Sequence, residues 1–176
     1  MHPPACAADI TDRIWNELHT ACRDKQHTWR SPVLASVDKD GFPRARTVVL
    51  RAVDTPAQQL IFFTDQRSPK VQELKACSRA EIVFWSPSLQ WQLRAAVVVE
   101  VQTQGSKVDQ AWARIKNSPA ATDYLHQALP GATQAAESHY LCLLLAQVKQ
   151  LDWLELAPQG HRRLRIQGTQ ADWLAP

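Results

Sequence analysis

The stretch LIFFTDQRSPKVQELKAC, residues 60–77, constrains the chain more than any other. Residues 60–64 are bulky and of high β propensity, so they read as a strand. Asp65, Gln66 and Arg67 turn the chain. Ser68 suits a helix N-cap. Pro69 falls at the first helical position, where its missing N–H costs nothing. Val71 and Leu74 follow at helical spacing. A strand, a tight loop and a helix N-terminus are therefore predicted. Such an N-terminus offers unpaired N–H groups and a partial positive charge, which suit a phosphate. Arg67 before the cap and Lys70 just inside the helix can converge on one anion. The same residues also suit a plain surface helix with two solvated cations, and this stretch alone leaves both readings open.

The rest of the chain reads as strands joined by short turns. Ile10, Ile14, Leu18 and Cys22 recur every four residues, which predicts a helix from Asp9 or Thr11 to about Lys25. Residues 33–37 form a strand, Asp40-Gly41 marks a hairpin, and residues 45–52 return. On that returning strand Arg46, Val48 and Leu50 share one face, and Thr47, Val49 and Arg51 the other. Its two arginines fit a charged ligand near the sheet, or charges that guard an edge strand. Further strands are predicted over 80–86 and 90–103. On the second, Gln92, Arg94, Ala96 and Val98 face away from Trp91, Leu93, Ala95 and Val97. Helices follow over 108–116 and 120–129, then one long or two short strands over 139–156, and a last strand over 162–167. Six strands with short connections favour a mainly β fold with peripheral helices, a small closed antiparallel barrel.

Composition narrows the function. The 176 residues suit one domain, predicted over 9–167, with a flexible tail at 1–8 and a C-terminal tail at 168–176. A net charge of +3 is too mild to argue for nucleic acid. The four cysteines are far apart, which predicts neither a disulfide framework nor a metal site and fits reduced thiols in the cytoplasm. No signal peptide is read at the start, and the longest apolar runs are too short to span a bilayer. The five glycines make neither G-x-G-x-x-G nor G-x-x-x-x-G-K. Any bound nucleotide must be held without those loops.

Taken in order, RTVVLR (46–51), FFTDQRSPK (62–70), WQLR (91–94) and LDWLEL with GHRR (151–163) resemble the pyridoxamine 5′-phosphate oxidase-like, FMN-binding split β-barrels. The nearest resemblance is to the Alr4036-type FMN-binding branch. It implies a six-stranded antiparallel split β-barrel and a homodimer with FMN at the subunit interface. It implies that Arg46 and Arg51 bracket the flavin while Thr47, Val48, Val49 and Leu50 line the ring. Phe63 and Thr64 match the pair that ends the next strand. Arg67, Ser68 and Lys70 match the phosphate grip. Gln92 is expected from the partner subunit, with Arg94 beside it, and His161 and Arg163 match the C-terminal His-x-Arg.

The departures bear on the substrate. The oxidases carry a lysine where this chain has Arg51, and the two side chains differ in reach and pKa. Their Tyr and R-P-R-x-S segment has no counterpart in residues 113–125. Gln159 stands for an arginine and Leu154 for a tryptophan. The flavin grip is kept and the substrate grip is largely not. An FMN-dependent oxidoreductase acting on an undetermined small molecule is therefore expected, with no catalytic residue assigned beyond His161 by position. The alternatives are a non-catalytic flavin or pyridoxal-phosphate binding protein, and a related barrel holding deazaflavin or haem.

Overall fold

The computed structural model describes residues 6–125 and 139–176. The elements run α1 (Ala7–Arg23), β1 (Val33–Val37), β2 (Pro43–Thr47), β3 (Leu50–Asp54), β4 (Gln59–Asp65), α2 (Pro69–Ala76), β5 (Arg79–Ser86), β6 (Trp91–Gln102), α3 (Ser106–Ile115), β7 (Leu141–Glu155), β8 (Arg162–Gln167) and β9 (Gln170–Leu174). Short 3-10 helices lie at Thr28–Arg30 and Pro119–Tyr124.

The six-stranded closed barrel is not what forms. Nine strands make one open sheet, ordered β2-β1-β5-β6-β7-β4-β3, with β8 and β9 branching from β7. The two ends of the path, β2 and β3, do not pair with each other, so the sheet does not close. Every pairing is antiparallel. The fold is a mixed one, helices packed on a nine-stranded sheet.

Two local features account for the extra strands. The run over 45–52 looks continuous by β propensity, but Val48 donates its N–H to the Pro32 carbonyl at 2.9 Å. That bond lies outside the ladder. β2 therefore ends at Thr47, and β3 starts afresh at Leu50 against Phe62. The polar segment QADWL pairs with β8 as an exposed edge strand, which its composition hides. The 139–156 run is one strand, β7. The helix predicted over 120–129 shows a 3-10 turn to Tyr124, and its end lies outside the described residues.

Helix α1 begins one turn earlier than predicted. Cys6 is its N-cap: the thiol accepts from the Asp9 N–H, and the Asp9 carboxylate accepts from the Cys6 N–H. Asp9 thus completes a capping box from the third helical position. The predicted stripe is buried: Ile10, Ile14, Trp15, Leu18 and Ala21. It lies over a core in which Trp29 meets Phe84 at 5.6 Å and Trp91 at 6.3 Å between ring centroids, and Trp91 meets Trp153 edge-on at 5.1 Å. A second apolar cluster packs α3 and Tyr124 onto Leu141, Leu143 and Leu145.

Trp29 is fully buried in this core. Truncating it to Ala removes an aromatic side chain that the surrounding core cannot collapse to replace. Urea denaturation of the Trp29→Ala variant should show a loss of about 3–5 kcal/mol with an unchanged slope.

Candidate functional site

Helix α2 starts as the sequence predicts, with Ser68 at the N-cap and Pro69 in the first turn. Ser68 does not cap with its side chain. Its hydroxyl accepts instead from Lys70 Nζ at 2.6 Å, and Thr64 Oγ1 accepts from the same ammonium at 2.9 Å. In the first turn of α2, Pro69 has no N–H and Val71 donates its own to the Ser68 carbonyl at 2.9 Å, which leaves the Lys70 N–H to solvent or to a ligand. Lys70 is half-buried and, among the described residues, is hydrogen-bonded by hydroxyls alone. Burial pushes its pKa below the ordinary lysine value, and the nearby Arg46 guanidinium pushes it further down. An ammonium and a guanidinium close together at a helix N-terminus form a site that suits a phosphate, although the Asp65 and Glu73 carboxylates offset part of their charge.

Arg46 reaches this place from β2. It donates to the hydroxyl of Ser36 and, at 2.6 Å, to Glu73 of α2, which also accepts from Ser36 at 2.6 Å. Burial raises the Glu73 pKa, but the bonds from Ser36 and Arg46 outweigh it and hold the carboxyl below its usual range. Arg67 does not converge with Lys70. Its guanidinium chelates Asp65 at 2.6–3.1 Å and lies over the Tyr140 ring at 3.9 Å. Across the β4–β7 ladder Thr64 faces Cys142, a buried thiol whose pKa burial pushes up to about 11.

Arg51 sits where the β3–β4 register slips between Leu50 and Ala52. A bulge re-aims the side chain it carries. The Arg51 guanidinium lies 5.7 Å from the Phe63 ring and close to the buried Tyr124, while its buried Nε has no partner among the described residues. Of the residues between the two arginines, Val48 and Leu50 are buried in the core, Val49 is half-buried and Thr47 is exposed.

The remaining predicted residues lie elsewhere. Gln92 stands between Trp85 and Leu154, and Arg94 between Val83 and Asp152, on the face of β6 away from the core. Asp152 accepts from Arg94 at 2.5 Å and from Arg163 at 3.0 and 2.8 Å. His161 and Arg163 line a cavity of about 540 Å³ with Arg162, Trp173, Leu174, Cys6 and Ala7. This group sits on the C-terminal half of β7, whereas Lys70 and Thr64 sit at its start. Ten residues, Cys142 to Asp152, separate the two along the strand, about 33 Å of extended chain.

Four residues here went unread in the sequence: Ser36, Glu73, Tyr124 and Asp152. Asp152 had a signal, being the acid between Leu151 and Trp153 in a strand otherwise rich in apolar residues. The others are ordinary residues that only the tertiary fold brings to the arginines.

The depressed Lys70 pKa has a checkable sign. Between its folded-state pKa and the ordinary lysine value, the unfolded chain binds more protons than the folded one. The contribution of Lys70 to the stability of the ligand-free protein therefore rises with pH through that window, while the raised Cys142 thiol pulls the other way in both proteins. Comparing denaturation at several alkaline pH values should show the stability difference, wild type minus Lys70→Met, becoming more favourable to the wild type as pH rises.

Comparisons with known proteins agree with this geometry. Residues 12–102 match the family model described as pyridoxamine 5′-phosphate oxidase, FMN-binding domain. The chain is 45% identical over 67 residues to the pyridoxine/pyridoxamine 5′-phosphate oxidase of Chromohalobacter salexigens, covering 38% of this chain and 30% of that one. It is 31% identical over 115 residues to the enzyme of the same description from Thermosynechococcus vestitus, covering 61% and 54%. The chain thus spans about a third to about half the length of these curated relatives. Among solved structures, a pyridoxamine 5′-phosphate oxidase-related, FMN-binding protein from Nostoc punctiforme superposes with a TM-score of 0.71 at 26% identity, over 94% of this chain and 96% of that one. PhzG from Burkholderia lata shares the fold at 18% identity, with a TM-score of 0.72 over 99% and 94%. The chain belongs to the pyridoxamine 5′-phosphate oxidase family of FMN-binding domains, and FMN is its cofactor.

Proposed function

We propose that the chain is an FMN-dependent oxidoreductase of the Alr4036-type branch, acting as a cytoplasmic homodimer on a small molecule other than a B6 phosphate. The observation that carries this is the cluster of Lys70, Thr64 and Ser68 at the start of α2, with Arg46 beside it. It has the chemistry of a terminal-phosphate grip, and Lys70 has no carboxylate partner to satisfy it among the described residues. Arg67 contributes less, because Asp65 already holds it. Bound FMN supplies the capacity to accept and return electrons, and the protein supplies binding, orientation and electrostatics.

In this reading Lys70, Ser68 and Thr64 hold the phosphate, with Arg46 adding charge from the side. Arg51 and Phe63 stand where the isoalloxazine leaves the phosphate loop. Gln92, Arg94, His161 and Arg163 serve the ring from the partner chain, because one FMN cannot reach both halves of β7. The face that carries Gln92 and Arg94 also exposes Val33, Val37, Trp85 and Val98, at 37–43% each, and suits a second copy of the chain. Arg51 offers a B6 phosphate a planar guanidinium lying beside Phe63, not the compact ammonium that a lysine would.

Two measurements test this. Lys70→Ala removes a charge-assisted contact worth roughly 1.5–3 kcal/mol, so FMN should bind about 10- to 100-fold more weakly. Riboflavin, which lacks the phosphate, should bind unchanged, and equal losses for both flavins would place the phosphate elsewhere. In light scattering the wild type should be a dimer and Trp85→Glu a monomer with weakened FMN binding. A monomer with full FMN affinity would refute the shared site. Flavin that binds but never turns over with NAD(P)H, oxygen or an organic acceptor would point to the non-catalytic binding role. Brisk peroxide release with pyridoxamine phosphate would overturn the substrate assignment.

A further inference from the structure

We propose that Asp152 is a positioning residue: from inside the sheet it fixes the guanidinium of Arg163, and with it the edge that Arg163 presents to the flavin ring. The inference rests on the proposed reading that a flavin whose phosphate is held by one chain lays its ring against the C-terminal half of β7 in the other.

The geometry is specific. Strand register places Asp152 opposite Arg94 and Arg165, and Leu154 opposite Arg163. Asp152 nevertheless bonds diagonally to Arg163, through Nε at 3.0 Å and Nη2 at 2.8 Å. That uses one edge of a planar fork with five donors. The other edge stays available in the cavity that Arg163 shares with His161 and Trp173. Arg94 closes the arrangement from β6 with a third bond at 2.5 Å.

Stability alone does not account for this arrangement. Asp152 is 5% exposed while its partners Arg94 and Arg163 keep 38% and 28% of their side chains in water, so burying the carboxylate offsets much of what its attraction to them returns. What the carboxylate adds is a fixed direction for a long side chain that would otherwise lose rotamer freedom on meeting its ligand. A guanidinium set in advance, facing outward, matches the carbonyl acceptors on the edge of a flavin ring.

The signature differs from that of the phosphate end. Damage at Lys70 should spare riboflavin, whereas damage at Asp152 should weaken riboflavin and FMN by the same factor, about tenfold or more. Asp152→Glu, whose carboxylate reaches the same pair, should restore both affinities to within about threefold. In an Arg94→Ala/Arg163→Ala background, adding Asp152→Ala should change riboflavin affinity by less than about twofold, since the residue has nothing left to position. Should Asp152→Ala fail to fold, Asp152→Asn is measured instead, with the same expectation. An undiminished loss in the double-arginine background would show a structural role and overturn the proposal. So would an Arg163→Ala protein that loses riboflavin affinity while Asp152→Ala keeps it. If Arg163→Ala itself leaves riboflavin binding intact, the ring does not lie at this end of β7, and the reading beneath the proposal falls with it.

Discussion

The hydrogen-bond ladder of β7 is what the rest of the molecule depends on. One edge of this fifteen-residue strand is taken along its length by β6. The other edge is divided: residues 141–147 pair with β4, and residues 151–155 pair with β8. The strand alternates its side chains between two apolar layers at its start, Leu141, Leu143 and Leu145 toward α3, Cys142 and Leu144 the other way. A strand buried on both faces must be apolar throughout, and this half is. From Gln147 on, polar residues return, with Lys149 exposed and Asp152 taken up by arginines.

That change of environment sorts the cations. On the C-terminal half, Arg162 has Glu155, and Arg94 and Arg163 share Asp152. Near the start, Arg46 has Glu73 and Arg67 has Asp65. Lys70 departs from the pattern, hydrogen-bonded among the described residues by two hydroxyls alone. A guanidinium paired with a carboxylate is neutralised where it stands. An ammonium held by Thr64 and Ser68 keeps its charge for an incoming anion, while burial and the Arg46 guanidinium push its pKa down.

Much of the local structure was legible in the sequence, and its closure was not. Ser68-Pro69 announced the start of α2, and the period-two alternation of 90–103 separated Trp91, Leu93 and Ala95 from Gln92 and Arg94 correctly. Propensity could not show that Val48 would leave the ladder for the Pro32 carbonyl, nor that QADWL would add to β8, because both depend on distant backbone. The same holds for the site. Lys70 was legible from its position in the first turn of a helix. The partners of the arginines were not: Ser36 and Glu73 come to Arg46 from other elements, and Tyr124 to Arg51. Arg67 was read as converging with Lys70, but a carboxylate two residues back, Asp65, captures it first.

Cys142 carries a consequence of its own. It lies across the ladder from Thr64, beside the Lys70 ammonium, in the region where a flavin phosphate would sit. A thiol next to a cation is ordinarily a reactive one. Here burial wins, and with a pKa of about 11 only about one molecule in ten thousand carries the thiolate near neutral pH. The thiolate is the form that attacks hydrogen peroxide, so the residue stays at the bottom of the oxidation ladder. On the proposed reading, in which a flavin phosphate sits beside Lys70, the sulfur next to it is kept from oxidants by burial alone.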